Sequence, residues 1–158
     1  MKKILVLTSG GDSSGMNAYL KALAKLCKKH KIDLHASLYG FQGLIENSIM
    51  PLNYDEMGEI QNLGGSIIKT SRSKDFMTEQ GFNQALKNIK DWNFDCVIVV
   101  GGNGSTKGAY DLSVAGVNII VIPATIDNDL IYTDASLGYD TALPPCFLMG
   151  SAIRSASP

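Results

Sequence analysis

"DCVIVVGGNGSTKGAYDL", residues 95–112, decides the fold. Cys96 to Val100 are apolar with no polar alternation, the pattern of a strand covered on both faces. Glycines 101, 102 and 104 then supply a tight turn, and the residues after it open a helix. The same order stands at the start of the chain. "KILVLT", Lys3–Thr8, meets the glycine turn "SGGDSSG", and "MNAYLKALAKLCKKHK" follows. There Leu20, Leu23, Ala24 and Cys27 recur at helical spacing, with Lys21, Lys25, Lys28 and Lys29 off the stripe. Further strands are expected over Asp33–Tyr39 and, clearly buried, over Asn118–Ile122. Between them lie a loop, "GFQGLIEN", an excursion containing Pro51, a short helix within 54–62 and a polar loop, "LGGSIIKTSRS". A helix over Thr78–Lys90 follows, capped by Thr78 or Ser73. Strand, glycine turn and helix in repetition imply right-handed βαβ units. The expected fold is α/β: a Rossmann-like three-layer sandwich rich in parallel sheet.

Bulk properties fit one domain with a real core. The chain has 158 residues, 45% hydrophobic and 18% charged. Net charge is −1, from 14 basic and 15 acidic residues, so charge gives no reason to expect nucleic acid or an anionic membrane as partner. Its apolar runs are far shorter than the ~20 residues of a spanning helix, and the start is too short for a signal peptide. Cys27, Cys96 and Cys146 are odd in number and widely spaced, as free thiols in a reducing cytoplasm would be.

In a parallel α/β sheet, ligands sit beyond the carboxyl ends of the strands. Those ends here are "TSGGD", "VGGNGS" and "ATIDND". Gly10 and Gly11 allow backbone N–H groups close to an anion at a helix start. A plain turn with Asp12 or Ser13 as helix cap accounts for them equally well. The second turn, Gly102 to Ser105, tips the balance, because two glycine turns at two strand ends suit a polyphosphate. Ser105 can cap the next helix, and Asn103 can offer a cation its carbonyl oxygen.

The sharpest piece is "PATIDNDLIYTD", residues 123–134. Turn chemistry explains one or two of Asp127, Asn128, Asp129 and Asp134, and the whole cluster poorly. Of Asp127 and Asp129, one can take a proton from an attacking hydroxyl while the other binds Mg²⁺, directly or through water. Arg72, beside two phosphate turns, is a candidate clamp on transferring charge. Lys21 and Lys25 suit either a wet helix face or a second anion.

"ILVLTSGGDSSGMNA", "YGFQGLIEN", "LGGSIIKTSRS", "VVGGNGSTKGA", "IPATIDNDL" and "TDASLGYDTAL" together resemble, in order and spacing, the N-terminal half of the ATP-dependent 6-phosphofructokinase family. The resemblance implies phosphoryl transfer from MgATP to the 1-hydroxyl of fructose 6-phosphate, a glycolytic step in the cytoplasm. Carried over by position, Asp127 is the general base, and Thr125 and Asp129 are its sugar- and metal-side companions. Gly11 and the loop Gly102, Asn103, Gly104 and Ser105 hold ATP phosphate and Mg²⁺. Arg72 bridges to the transferred group, with Ser73 beside it, and Phe41 stands near the nucleotide. Lys21, Lys25 and Arg154 match basic residues around a regulatory site for ADP or a phosphoenolpyruvate-like effector. The family assembles as a homotetramer.

The chain departs from that pattern. Asn103 stands where the family has aspartate in GGDGS, which bears on Mg²⁺ affinity, and Ala124 where it has glycine. Pyrophosphate-using relatives carry aspartate at the position of Gly104 and lysine at that of Ala124, so ATP is the expected donor. Pro144 and Pro145 interrupt an expected helix. Residues 1–158 correspond to the nucleotide-binding half, without the sugar-phosphate half, and little turnover is expected of them alone. The rivals are a pyrophosphate-dependent relative, a non-catalytic nucleotide- or effector-binding remnant, and a dinucleotide-binding domain, the last disfavoured by the lack of GxGxxG.

Overall fold

The computed structural model describes residues 2–131 and 133–143. Five strands form one sheet: β1 (Lys3–Ser9), β2 (Asp33–Ser37), β3 (Ile49–Pro51), β4 (Cys96–Gly101) and β5 (Ile119–Pro123). Their order is β3-β2-β1-β4-β5, parallel except for the antiparallel β3. Helices α1 (Met16–Lys29), α2 (Phe41–Ile45), α3 (Glu79–Asp91) and α4 (Asn103–Val114) accompany them among the described residues. On one face, Leu20, Ala24 and Cys27 of α1 pack with Val6, Ala36, Ile98 and Val100. On the other, α2, α3 and α4 bring Leu44, Ile89 and Leu112 onto Leu5, Leu7, Val97 and Val99. Both faces of β1 and β4 are therefore covered, which is why neither alternates. The α/β three-layer reading holds.

Several local expectations change. "GFQGLIEN" is largely helix α2, not loop. Phe41 and Leu44 are buried, and Gly43 lets the helix pass so near Leu38 that a Cβ would lie 1.8 Å from its carbonyl oxygen. β2 stops at Ser37 because Tyr39 takes a left-handed φ of 59°. The Pro51 excursion is β3, at a sheet edge where a missing N–H costs nothing. Residues 54–62 form two 3₁₀ turns, Tyr54–Glu56 and Ile60–Asn62, on either side of Gly58 with its φ of 53°. Strand β5 is an edge among the described residues, and Ile120 is 50% exposed. Thr78 does cap α3, accepting from the Gly81 N–H, while Ser73 accepts from the Phe76 N–H in the preceding 3₁₀ turn, Asp75–Met77. Cys27 and Cys96 are free, with burial raising both thiols above their ordinary range. Cys146 and the proline pair lie outside the described residues.

At the amino ends of the strands, His35 is buried against Trp92 and Phe94. Its Nδ1 has no hydrogen-bond partner and sits 3.5 Å from Asp33 Oδ1. Burial lowers its pKa from the ordinary 6.5; Asp33 opposes that shift and Lys3 adds to it. The unfolded chain therefore binds a proton that the folded chain resists, and stability rises with pH through this window. Denaturant titrations should show stability holding level just above pH 6.5 and falling below it. His35→Phe should remove that slope; a slope that survives the replacement contradicts the assignment.

Candidate active site

Three strand ends meet at one rim because β1, β4 and β5 are adjacent and in register. Ser9 pairs with Gly101, and Gly101 with Pro123. The first glycine turn, the second, and the acidic turn therefore begin side by side. Ser105 Oγ donates to the Ser9 carbonyl at 3.0 Å in the interior, tying the first two turns together. Gly101 is obligatory there: a Cβ would fall 2.5 Å from Ser105 Oγ and 2.6 Å from Ser9 O. Ser105 is thus a buried tie rather than a cap, and Gly102 takes the cap position of α4. Likewise Gly15, at φ 86°, precedes α1, where Asp12 or Ser13 was the expected cap.

The polar loop 63–73 is clasped onto the first turn. Asn17, buried in α1, donates to Leu63 O and accepts from the Ile67 N–H. Thr8 Oγ1 donates to Lys69 O at 2.8 Å and lies 2.9 Å from Ser66 Oγ. Thr70 Oγ1 donates to Asp12 at 2.9 Å. Asp12 is spent on holding this loop, which presents Arg72 and Ser73 to the rim. No spacing rule pointed to that role for Asp12.

The acidic turn divides its labour. Asn128, at φ 48°, accepts from the Ser136 N–H and donates to Asp134 O. Ser136 Oγ donates to Thr125 O, and Thr125 Oγ1 accepts from the Asp127 N–H. Asn128 and Asp134 thereby build the turn. Asp127 and Asp129 stay free of it and face a cleft of about 1010 Å³. Asn103 Nδ2 reaches across to donate to Asp129 Oδ2 at 2.7 Å.

One cleft gathers Gly11, Phe41, Arg72, Ser73, the Gly102–Ser105 loop, Thr125, Asp127 and Asp129. Beyond Phe41, its apolar wall was missed in the sequence. Phe41 stacks on Phe76 at 4.2 Å, and Phe82 lies 5.6 Å beyond. Gly108 of α4 admits both rings, since a Cβ there would be 3.0 Å from Phe76 and 3.1 Å from Phe41. The volume suits a drug-sized ligand with a flat apolar part and an anionic part.

The family model for phosphofructokinase matches residues 3–156. The chain belongs to the phosphofructokinase family. This phosphofructokinase-family chain is 47% identical over 143 residues to the ATP-dependent 6-phosphofructokinase of Natranaerobius thermophilus, covering 90% of the chain and 45% of that protein. Identity to the Clostridioides difficile protein of the same description is 43%, with the same coverage. The chain thus spans about half the length of the curated relatives it matches. Among solved structures, the phosphofructokinase of Saccharomyces cerevisiae superimposes with a TM-score of 0.86 at 30% identity, covering 98% of this chain and 24% of that one. A pyrophosphate-dependent phosphofructokinase from Marinobacter aquaeolei shares the fold at TM-score 0.75 and 21% identity, over 88% of this chain and 37% of that one.

Lys21 and Lys25, two of the basic residues expected at an effector site, do not line the cleft. Lys21 donates to Gly58 O at 2.5 Å and Gln61 Oε1 at 2.7 Å, and Lys25 is exposed on α1. Arg154 lies outside the described residues.

The tie at Gly101 yields a contrast. Gly101→Ala forces a methyl onto backbone and should cost about 1–3 kcal/mol in denaturant unfolding. Nothing lies within 4 Å of a Cβ at Gly104, so Gly104→Ala should leave stability unchanged or raise it by less than about 1 kcal/mol. Equal costs at the two positions would contradict the packing described.

Proposed function

We propose that this chain is the nucleotide-binding half of an ATP-dependent 6-phosphofructokinase, working in phosphoryl transfer to the 1-hydroxyl of fructose 6-phosphate. The observation that carries the reading is the single cleft shared by two glycine turns and the carboxylates of Asp127 and Asp129. Backbone N–H groups at Gly11 and along Gly102–Ser105, with the positive end of the twelve-residue α4, suit the phosphate chain. Asp127 takes the proton of the sugar hydroxyl as its oxygen bonds to the terminal phosphorus and the bridging oxygen leaves with ADP. Arg72, carried on the clasped loop, neutralises charge on the transferred group, with Ser73 beside it. Thr125 and Asp129 border the acceptor.

Asp129 and the Asn103 carbonyl are oxygen donors of the kind a hard cation takes, so with phosphate oxygens they would hold Mg²⁺, which supplies charge neutralisation on the phosphates. The aromatic wall of Phe41, Phe76 and Phe82 favours ATP over pyrophosphate, since a bare pyrophosphate has nothing to lay against it. The groups that hold the sugar phosphate belong, in this reading, to the other half of a complete subunit. The chain alone then binds nucleotide and turns over little. Assembly as a homotetramer, and an ADP or phosphoenolpyruvate-like effector at Lys21 and Lys25, belong to the same proposal. Lys21 would have to exchange its contacts with Gly58 and Gln61.

The test is a donor comparison in a complete subunit that contains this half. ATP should support fructose 1,6-bisphosphate formation and pyrophosphate should not. Asp127→Asn should cut turnover by about 10²–10⁴-fold with nucleotide affinity intact. Turnover with pyrophosphate alone, or a silent Asp127→Asn, would overturn the reading.

A further inference from the structure

Helix α2 sends two neighbouring side chains to different partners. Phe41 joins the aromatic wall, and Gln42 reaches the loop that carries Arg72. Gln42 Oε1 accepts from Ser73 Oγ at 2.6 Å, and Ser73 Oγ accepts in turn from the Phe76 N–H at 3.0 Å. The other end of the amide fixes which way it points. Gln42 Nε2 donates to Glu46 Oε1 at 2.8 Å, one helical turn on, and to Asp75 Oδ2 at 3.3 Å. Two carboxylates take the amide nitrogen, so the carbonyl oxygen is turned to Ser73. The bonds run in one direction, from the Phe76 N–H through a hydroxyl and an amide to acids, and each link polarises the next.

Packing does not supply what this chain of bonds supplies. Burial draws Phe76 against Phe41 whatever the tilt of its ring, because apolar attraction has no direction. Gly108 lets both rings approach α4 but holds neither. The bonds from Gln42 set where the turn Asp75–Met77 sits against α2, and with it the 22° between the two rings. Ser73 lines the cleft, yet its proton is committed to Gln42, which does not line it.

We propose that Gln42 is a positioning residue for the base of the nucleotide. From outside the cleft, and through Ser73, it holds Phe76 flat against Phe41 as the surface on which the base lies. This rests on the nucleotide reading of the cleft and names the residue that shapes its base-binding end. The phosphate end, at Gly11 and Gly102–Ser105, is built without it.

The experiment titrates the whole chain with MgATP and with magnesium tripolyphosphate, which has the phosphates and no base, by calorimetry. Wild type should bind MgATP at least about fivefold more tightly than tripolyphosphate, the contribution of one stacked base. Gln42→Met keeps the length of the side chain and loses the amide. It should weaken MgATP about 3–10-fold and leave tripolyphosphate unchanged. Should that variant not fold, Gln42→Ala, a better helix former, reads the same loss. Ser73→Ala cuts the link at its next member, and adding Gln42→Met to it should cost MgATP nothing more. An unchanged MgATP affinity in the Gln42 variant overturns the proposal. So do equal losses for the two ligands, or losses that add in the double variant. Wild type binding both ligands equally counts against the nucleotide reading itself, whereas a preference for MgATP that survives the Gln42 change sinks the positioning role alone.

Discussion

A hydroxyl on a carbonyl organises this molecule: Ser105 Oγ donating to Ser9 O beneath Gly101, where no side chain fits. β1 and β4 are the central strands and bury both faces, so hydrophobic burial would bring them together in any case. Burial is indifferent to how their ends are finished. The tie is not. It fixes the start of α4 against the end of β1, so that the two glycine turns open in the same direction. Register then carries the constraint to β5, whose end pairs with Gly101 and releases the acidic turn at the same rim.

The polar residues near the rim fall into two sets. One set is consumed by structure. Thr8, Ser66, Thr70 and Asp12 hold the Arg72 loop, and Asn128 and Ser136 shape the acidic turn. The other set, Asp127, Asp129 and Arg72, lines the cleft, Asp129 with the Asn103 amide on one oxygen. The strand that ends in so many acids thus spends its asparagine side chain and the Asp134 backbone carbonyl on a turn, and sets the carboxylates of Asp127 and Asp129 at the cleft. An amide facing Asp129 from α4 keeps that corner from becoming a cluster of unscreened negative charge.

Much of this was legible in the residues. Unalternating runs at Lys3–Thr8 and Cys96–Val100 marked strands covered on both sides, and the spacing of Leu20, Ala24 and Cys27 marked the buried stripe of α1. Glycine turns at strand ends marked the rim, and ordered motifs named the family. What stayed hidden depends on distant partners. α2 is a single turn and a half, too short for a period to declare itself, and is set by the space at Gly43. Ser105 reads as a cap from local rules, yet its partner is 96 residues away. Phe76 sits in a polar stretch and becomes an aromatic wall only when Phe41 arrives from another element. β5 has the composition of a buried strand, but a strand's place in the sheet order is not written in its own residues.

The central claim is that separate turns act on one anionic ligand. Backbone NMR during an ATP titration tests it most directly, with AMP as the control that lacks the longer phosphate chain. Amide signals of Gly10, Gly11, Gly102, Gly104 and the 125–129 turn should move together with ATP, on one binding curve, and much less with AMP. Shifts confined to a single turn, separate curves for the turns, or identical responses to the two nucleotides would contradict the account.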